Sequence, residues 1–199
     1  MFDLMLGEFG RIFFSFLIIM DPFASAVYFL NISKKFTEKE KNDAINSATF
    51  IAGAALVLFL FMGQILLSIL GITIPSFQVA GGIVLLVISI KFILGTFSEK
   101  DFEVDKKTSI MIIGIPLITG PGVLTTTIIM AGTYGYTTTF LAALTALAAV
   151  WMILKFSKEI HTAIGKTGME ITSRIMWLLL TALAIEFIKQ GIISTLTQL

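Results

Sequence analysis

The stretch LIIMDPFASAVYF, residues 17–29, sets an aspartate and a proline side by side inside an apolar run. Either one interrupts a membrane helix. Proline removes a backbone donor and clashes with the preceding turn, and the residue before it is pushed out of helical geometry. Read as the start of a helix, the pair is coherent instead: aspartate is a good N-cap and proline a good first helical residue. Asp21-Pro22 therefore opens a half-helix. Such a start leaves unpaired N–H groups and a positive dipole end in mid-span, which suits a carboxylate or another anion. At that depth, free backbone polar groups are tolerable only inside protein or along a cavity.

That a bilayer surrounds the stretch follows from composition. Of 199 residues, 56% are apolar and 14% charged, and the mean hydropathy is +0.96. Soluble domains carry about 25% charged residues, and a soluble core of this length has no room for so much apolar surface. An all-α integral membrane protein is expected, with membrane lipids as its surroundings. The net charge of +1 is scattered, with no basic stripe to follow a phosphate backbone, so no nucleic-acid partner is expected. Cysteine is absent, which excludes a disulfide framework, thiol chemistry and a cysteine metal site. The one histidine, His161, has only Glu159 near it in sequence and reads as a solvated loop residue. No metal site and no cofactor are expected. FFSFLIIM followed by Ala24-Ser25-Ala26 has the outline of a signal peptide, but Asp3 and Glu8 precede it with only Arg11 to oppose them. A signal needs a positive start, so retention as the first span is expected.

A crossing helix needs about 20 apolar residues. Six candidates satisfy this: 8–31, 44–70, 75–95, 109–132, 138–157 and 172–196. Two strongly charged loops, SKKFTEKEKND and SEKDFEVDKKTS, follow the first and third, and the mixed loop SKEIHTAIGKTGMEITSR follows the fifth. These loops and the adjacent helix ends hold twelve of the fourteen basic residues, leaving Arg11 and Lys189 on the other side. The positive-inside rule then places the charged loops in the cytoplasm and both termini outside, in a multi-pass protein of the cell membrane.

The chain also repeats. LIIMDPFA over PLITGPGV aligns Pro22 with Pro121 at an offset of 99. SATFIAGAAL over AALTALAAV aligns Ala48 and Ala52 with Ala142 and Ala146 at 94. QVAGGIVLLVISIKFILG over RIMWLLLTALAIEFIKQG aligns Gln78 with Arg174 and Gly95 with Gly191 at 96. Residues 1–99 and 100–199 thus read as two three-helix units within one membrane domain. A three-span unit copied in tandem must enter from the opposite side, which gives the inverted-topology repeat of many secondary transporters. These carry their substrate at mid-membrane, on helices interrupted at matching positions. Here the matching interruptions are Pro22 in span one and Pro121, within Gly120-Pro121-Gly122, in span four.

MDPFASAVYFL, GITIPSFQVAGGIVLL and IPLITGPGVLTTTI, with RIMWLLLTALAIEFIKQGI in looser support, make the chain resemble the MarC family, also described as SnatA-type small neutral amino acid transporters. The resemblance covers nearly the whole chain. In span one the family usually reads Asn-Pro followed soon by Gly, whereas this chain reads Asp21-Pro22-Phe23-Ala24. The resemblance implies six spans and transport of glycine, alanine and similar solutes, coupled to Na⁺ or H⁺.

With such a substrate, the second break is expected to hold the carboxylate through the N–H groups near Gly122 and Val123, beside Gly120 and Pro121, with Thr119, Thr125 and Thr126 adding hydroxyls. The first half-site is Asp21, Pro22, Phe23 and Ser25. Asp21 repels a carboxylate and is suited instead to the substrate ammonium, to Na⁺ or to a proton. An ionisable residue inside a span is a functional candidate by default. Glu186 is the second such acid and the second candidate for ion coupling, although Lys189 three residues on is placed to pair with it. Small-residue faces at Ala48, Ala52 and Ala55, at Ala142, Ala146 and Ala149, and at Gly81-Gly82 are expected to let helices pack closely. An exporter or channel for another small solute stays open, as does a homo-oligomer. An intramembrane enzyme would need paired acids or a Ser/His or metal constellation in the spans, and none is legible, so a non-enzyme is expected.

Overall fold

The computed structural model describes residues 2–94 and 118–197. The first part of the fourth expected span, 109–117, lies outside them, with Pro116 and the charged loop before it. Within the described residues the ordered elements are α-helices and one short 3-10 turn, Ser33–Lys35. In chain order the helices are α1 (Phe2–Met20), α2 (Pro22–Ile32), α3 (Glu38–Ile69), α4 (Ile74–Ile93), α5 (Pro121–Tyr134), α6 (Tyr136–Lys155) and α7 (Ser157–Leu196).

Local chemistry sets these boundaries. Thr37 and Glu40 close a capping box at the start of α3: Thr37 Oγ1 accepts from the Glu40 N–H at 3.3 Å, and Glu40 Oε2 accepts from the Thr37 N–H at 2.8 Å. Gly71 (φ 68°) turns the chain out of α3, and Thr73 caps α4 through the Ser76 N–H at 3.3 Å. Gly135 (φ 85°) forms the tight junction between α5 and α6. Each of these φ values suits glycine because it has no Cβ.

Among the described residues, five stretches are long and apolar enough to cross a membrane: Gly7–Leu30, Glu38–Ile69, Ile74–Ile93, Tyr136–Lys155 and Thr167–Leu196. The first joins α1 and α2 across Asp21. Gly122–Tyr134 is apolar but shorter. One expected loop is corrected. The segment after span five, with His161, is helical from Ser157 and broken only at Gly165 (φ 71°). Ile160 packs on the core while Lys158, Glu159, His161 and Thr162 are exposed. This short amphipathic turn of helix therefore has an apolar anchor that a count of charges does not reveal.

The most extensive helix pair is α4 with α7. Small residues allow it: a Cβ on Gly82 would lie 2.8 Å from the Ala184 carbonyl oxygen, and one on Gly191 would lie 2.7 Å from that of Pro75. α1 packs on α6, and α3 packs on both α5 and α6. α4 also meets α5, and α2 meets α7 and α6. Ala48, Ala52, Ala142 and Ala146 are fully buried, as expected for close helix packing in a membrane. Large side chains such as Phe50, Leu58, Ile65, Ile69, Leu178 and Ile193 are exposed on the outside. An apolar periphery of this extent suits lipid rather than water.

Candidate functional site

The break between α1 and α2 is a sharp one. Asp21 has φ 34° and ψ 75°, the one positive φ outside glycine among the described residues. Aspartate and asparagine are several-fold enriched in this region. An asparagine at this position would meet the same backbone demand. Asp21 also caps α2: Oδ1 accepts from the Ala24 N–H at 3.2 Å. The Asp21 carbonyl accepts from the Ser25 N–H at 3.1 Å. The Ser25 hydroxyl, fully buried, donates to the Met20 carbonyl at 3.5 Å and partly replaces the backbone donor which the break diverts.

What remains of the carboxylate is unusual for a buried group. Asp21 is 8% exposed, and its Oδ2 is buried with no hydrogen-bond partner. The indole Nε1 of Trp177, on α7, faces the carboxylate as a donor, but the two stop short of hydrogen-bond geometry. Ser173, one turn earlier on the same face of α7, is buried with an unpartnered hydroxyl too. Buried polar atoms are normally satisfied. A donor and an acceptor facing each other short of a hydrogen bond can close on one another or hold a small polar group between them.

The second break starts α5. Gly120 (φ −63°, ψ 176°) has no side-chain cap, and Pro121 follows as the first helical residue. The Val123 and Leu124 N–H groups both donate to the Gly120 carbonyl, at 3.0 and 3.2 Å. Of the two N–H groups expected here, that of Val123 is thus engaged, and Gly122 carries the other early N–H of this helix. Thr119, Thr125 and Thr126 are buried. The Thr126 Oγ1 has no partner, whereas Thr127 returns its hydroxyl to the Val123 carbonyl at 2.7 Å. Thr125 presses its methyl group against Gly81 of α4.

The two breaks are brought together. A Cβ on Gly122 would meet Leu85 and would lie 3.2 Å from Cγ2 of Ile19. Ile19 is two residues before Asp21, so the start of α5 rests on the last turn of α1. Glu186 is not part of this group. It pairs with Lys189 and accepts from Gln190 Nε2 at 2.9 Å, with its side chain 45% exposed. It lies nine residues beyond Trp177 on α7, about 13 Å along the axis. Arg11 acts on it from α1 and donates to the Tyr134 hydroxyl at 3.4 Å. Gln78 donates to Gln190 Oε1 at 3.4 Å. Glu186 thus belongs to a polar cluster at the end of the bundle where α1 begins.

Trp177 and Ser173 are the site residues that sequence reasoning missed. A signal was present: Trp177 stands at the repeat position of Gly81, at the offset of 96, and is one of only two tryptophans. Tryptophan normally marks the membrane interface, and six residues into span six Trp177 reads from sequence as such an anchor, which is why it was missed.

Comparison with known proteins agrees with an integral membrane protein. The profile of the MarC family, described as integral membrane proteins, matches residues 6–196. A "UPF0056 membrane protein" of Buchnera aphidicola subsp. Baizongia pistaciae is 31% identical, over 90% of each chain. One of Aquifex aeolicus is 28% identical, over 93% of this chain and 94% of that one. "UPF0056 membrane protein YhcE" of Escherichia coli is 28% identical, over 92% and 90%. No solved structure matches the chain. The chain belongs to the MarC family of integral membrane proteins.

Proposed function

We propose that the protein is a secondary transporter of small neutral amino acids such as glycine and alanine, built from two inverted three-span repeats and driven by a Na⁺ or H⁺ gradient. One observation carries the reading: the unpartnered Asp21 Oδ2, with Trp177 Nε1 beside it, is buried close to the start of a second half-helix. An α-amino acid presents one cation and one anion a few ångströms apart. The carboxylate of Asp21 suits the ammonium or a coupling cation, and the positive end of α5 at Gly122 suits the carboxylate.

The helix contacts support the inverted repeat. Exchanging α1 and α2 with α5, α3 with α6, and α4 with α7 carries the main contacts between the halves onto one another. α1 against α6 becomes α5 against α3, and α4 against α5 becomes α7 against α2. The pairs α4–α7, α3–α6 and α1–α5 map onto themselves. A pseudo-two-fold axis in the membrane plane produces this pattern. In this reading the chain sits in the cell membrane with both termini outside.

The test is uptake of labelled glycine and alanine into liposomes holding the purified protein, with sodium and proton gradients imposed separately. Saturable uptake driven by one gradient, and lost in Gly122→Leu, is expected. Folded protein that moves neither amino acid under either gradient would overturn the proposal.

A further inference from the structure

A groove of about 660 Å³ runs along the outside of the bundle between α3 and α6. Its floor is Gly53 against Leu147, where a Cβ on Gly53 would lie 3.0 Å from Leu147 Cδ2. Phe50, Val57 and Leu144 form its apolar walls. Its chemistry changes at one end. There Trp151 Nε1 donates to Asn46 Oδ1 at 2.9 Å, and the Lys155 ammonium lies 4.6 Å over the Trp151 ring. The Thr49 hydroxyl, also lining the groove, is buried without a partner.

The length of the groove names its occupant. Asn46 to Leu58 on α3 spans about 18 Å, and Phe140 to Trp151 on α6 about 16 Å, at 1.5 Å per residue. Half of a bilayer core is about 15 Å. The groove is thus one leaflet deep, apolar along its length, and finished by an indole and an ammonium, the groups favoured at the membrane–water boundary. We infer that it is a specific site for one anionic phospholipid, with an acyl chain lying between α3 and α6 and the phosphate held at Lys155. A second copy of the chain would present helix rather than a chain end, and nothing about a helix requires a cation at this one end of the groove.

Native mass spectrometry of delipidated protein, with phosphatidylglycerol and phosphatidylcholine of identical acyl chains added in turn, tests the site. Wild type is expected to retain one phosphatidylglycerol with about fivefold preference over phosphatidylcholine, the contribution of one lysine near the headgroups. Lys155→Gln should erase the preference but keep acyl binding. Ala54→Trp and Leu144→Trp, which fill the groove from exposed positions on its two sides, should each lose both lipids. Equal retention of the two lipids by wild type, or an unchanged preference in Lys155→Gln, would overturn the inference even where a groove variant fails to fold. So would lipid retention unaffected by the groove variants, or a dimer that only those variants dissociate, which would assign the groove to a second copy.

Discussion

Asp21 answers two demands at once. Its backbone lies at φ 34° and its Oδ1 caps α2 through Ala24. An asparagine satisfies both, since it visits the left-handed region and offers the same oxygen. Asp21→Asn should therefore melt within a few degrees of wild type. It should lose gradient-driven uptake by about tenfold or more, the scale of a lost hydrogen bond to a charged group. Normal uptake with intact ion dependence would reduce the carboxylate to a cap. Asp21→Ala removes the cap as well, at a cost of about 1 kcal/mol, and adds a left-handed penalty of about 1–2 kcal/mol; a lower thermal midpoint in detergent reports both. Trp177→Phe keeps the ring and deletes only the N–H. Because that N–H faces Asp21 without a close hydrogen bond, the thermal midpoint should fall by no more than a few degrees while the KM for uptake rises. A variant with wild-type KM would remove Trp177 from the site.

Helices of this protein are held by what their glycines omit. At Gly82 an added methyl group meets the Ala184 carbonyl and Ile188 of α7; the backbone there cannot step aside. Gly82→Ala should destabilise by about 1–3 kcal/mol, as overpacking does, read as a fall in the thermal midpoint. Gly7→Ala is the control: nothing lies within 4 Å of its would-be Cβ, and the midpoint should hold or rise slightly. Gly122 is between these cases. Its neighbours Leu85 and Ile19 are side chains that can shift for a methyl group but not for an isobutyl group, which makes Gly122→Leu the variant that closes the second half-helix start.

On the scale of the whole molecule, the junctions alternate between two ends of the bundle. Lys39 at the start of α3 and Glu159 at the start of α7 share one end, and Ile72 between α3 and α4 lies at the other. The absence of cysteine makes this easy to check. Single cysteines at Lys39 and Glu159 should be shielded from an impermeant thiol reagent in intact cells, and one at Ile72 labelled. Opposite labelling would reverse the orientation, and unlike labelling of the first two would contradict the helix order itself.

The sequence by itself determined the membrane class, five of the six expected spans and the position of the first break, because each rests on a local property: hydropathy over some 20 residues, or a proline that cannot continue a helix. It also marked Asp21, since ionisable residues in a span are rare, and Gly122 and the alanine faces through their matching places in the two repeats. It mistook the segment from Ser157 for a loop, because the single apolar anchor at Ile160 is weaker than the charges around it. Two matters were decided only by the tertiary structure: that Trp177 reaches Asp21, and that the start of α5 rests on the end of α1. These depend on contacts between helices distant in sequence. In a membrane, where water exclusion does not separate one apolar face from another, such contacts are set by shape and by hydrogen bonding, and neither is written in the order of residues along a single helix.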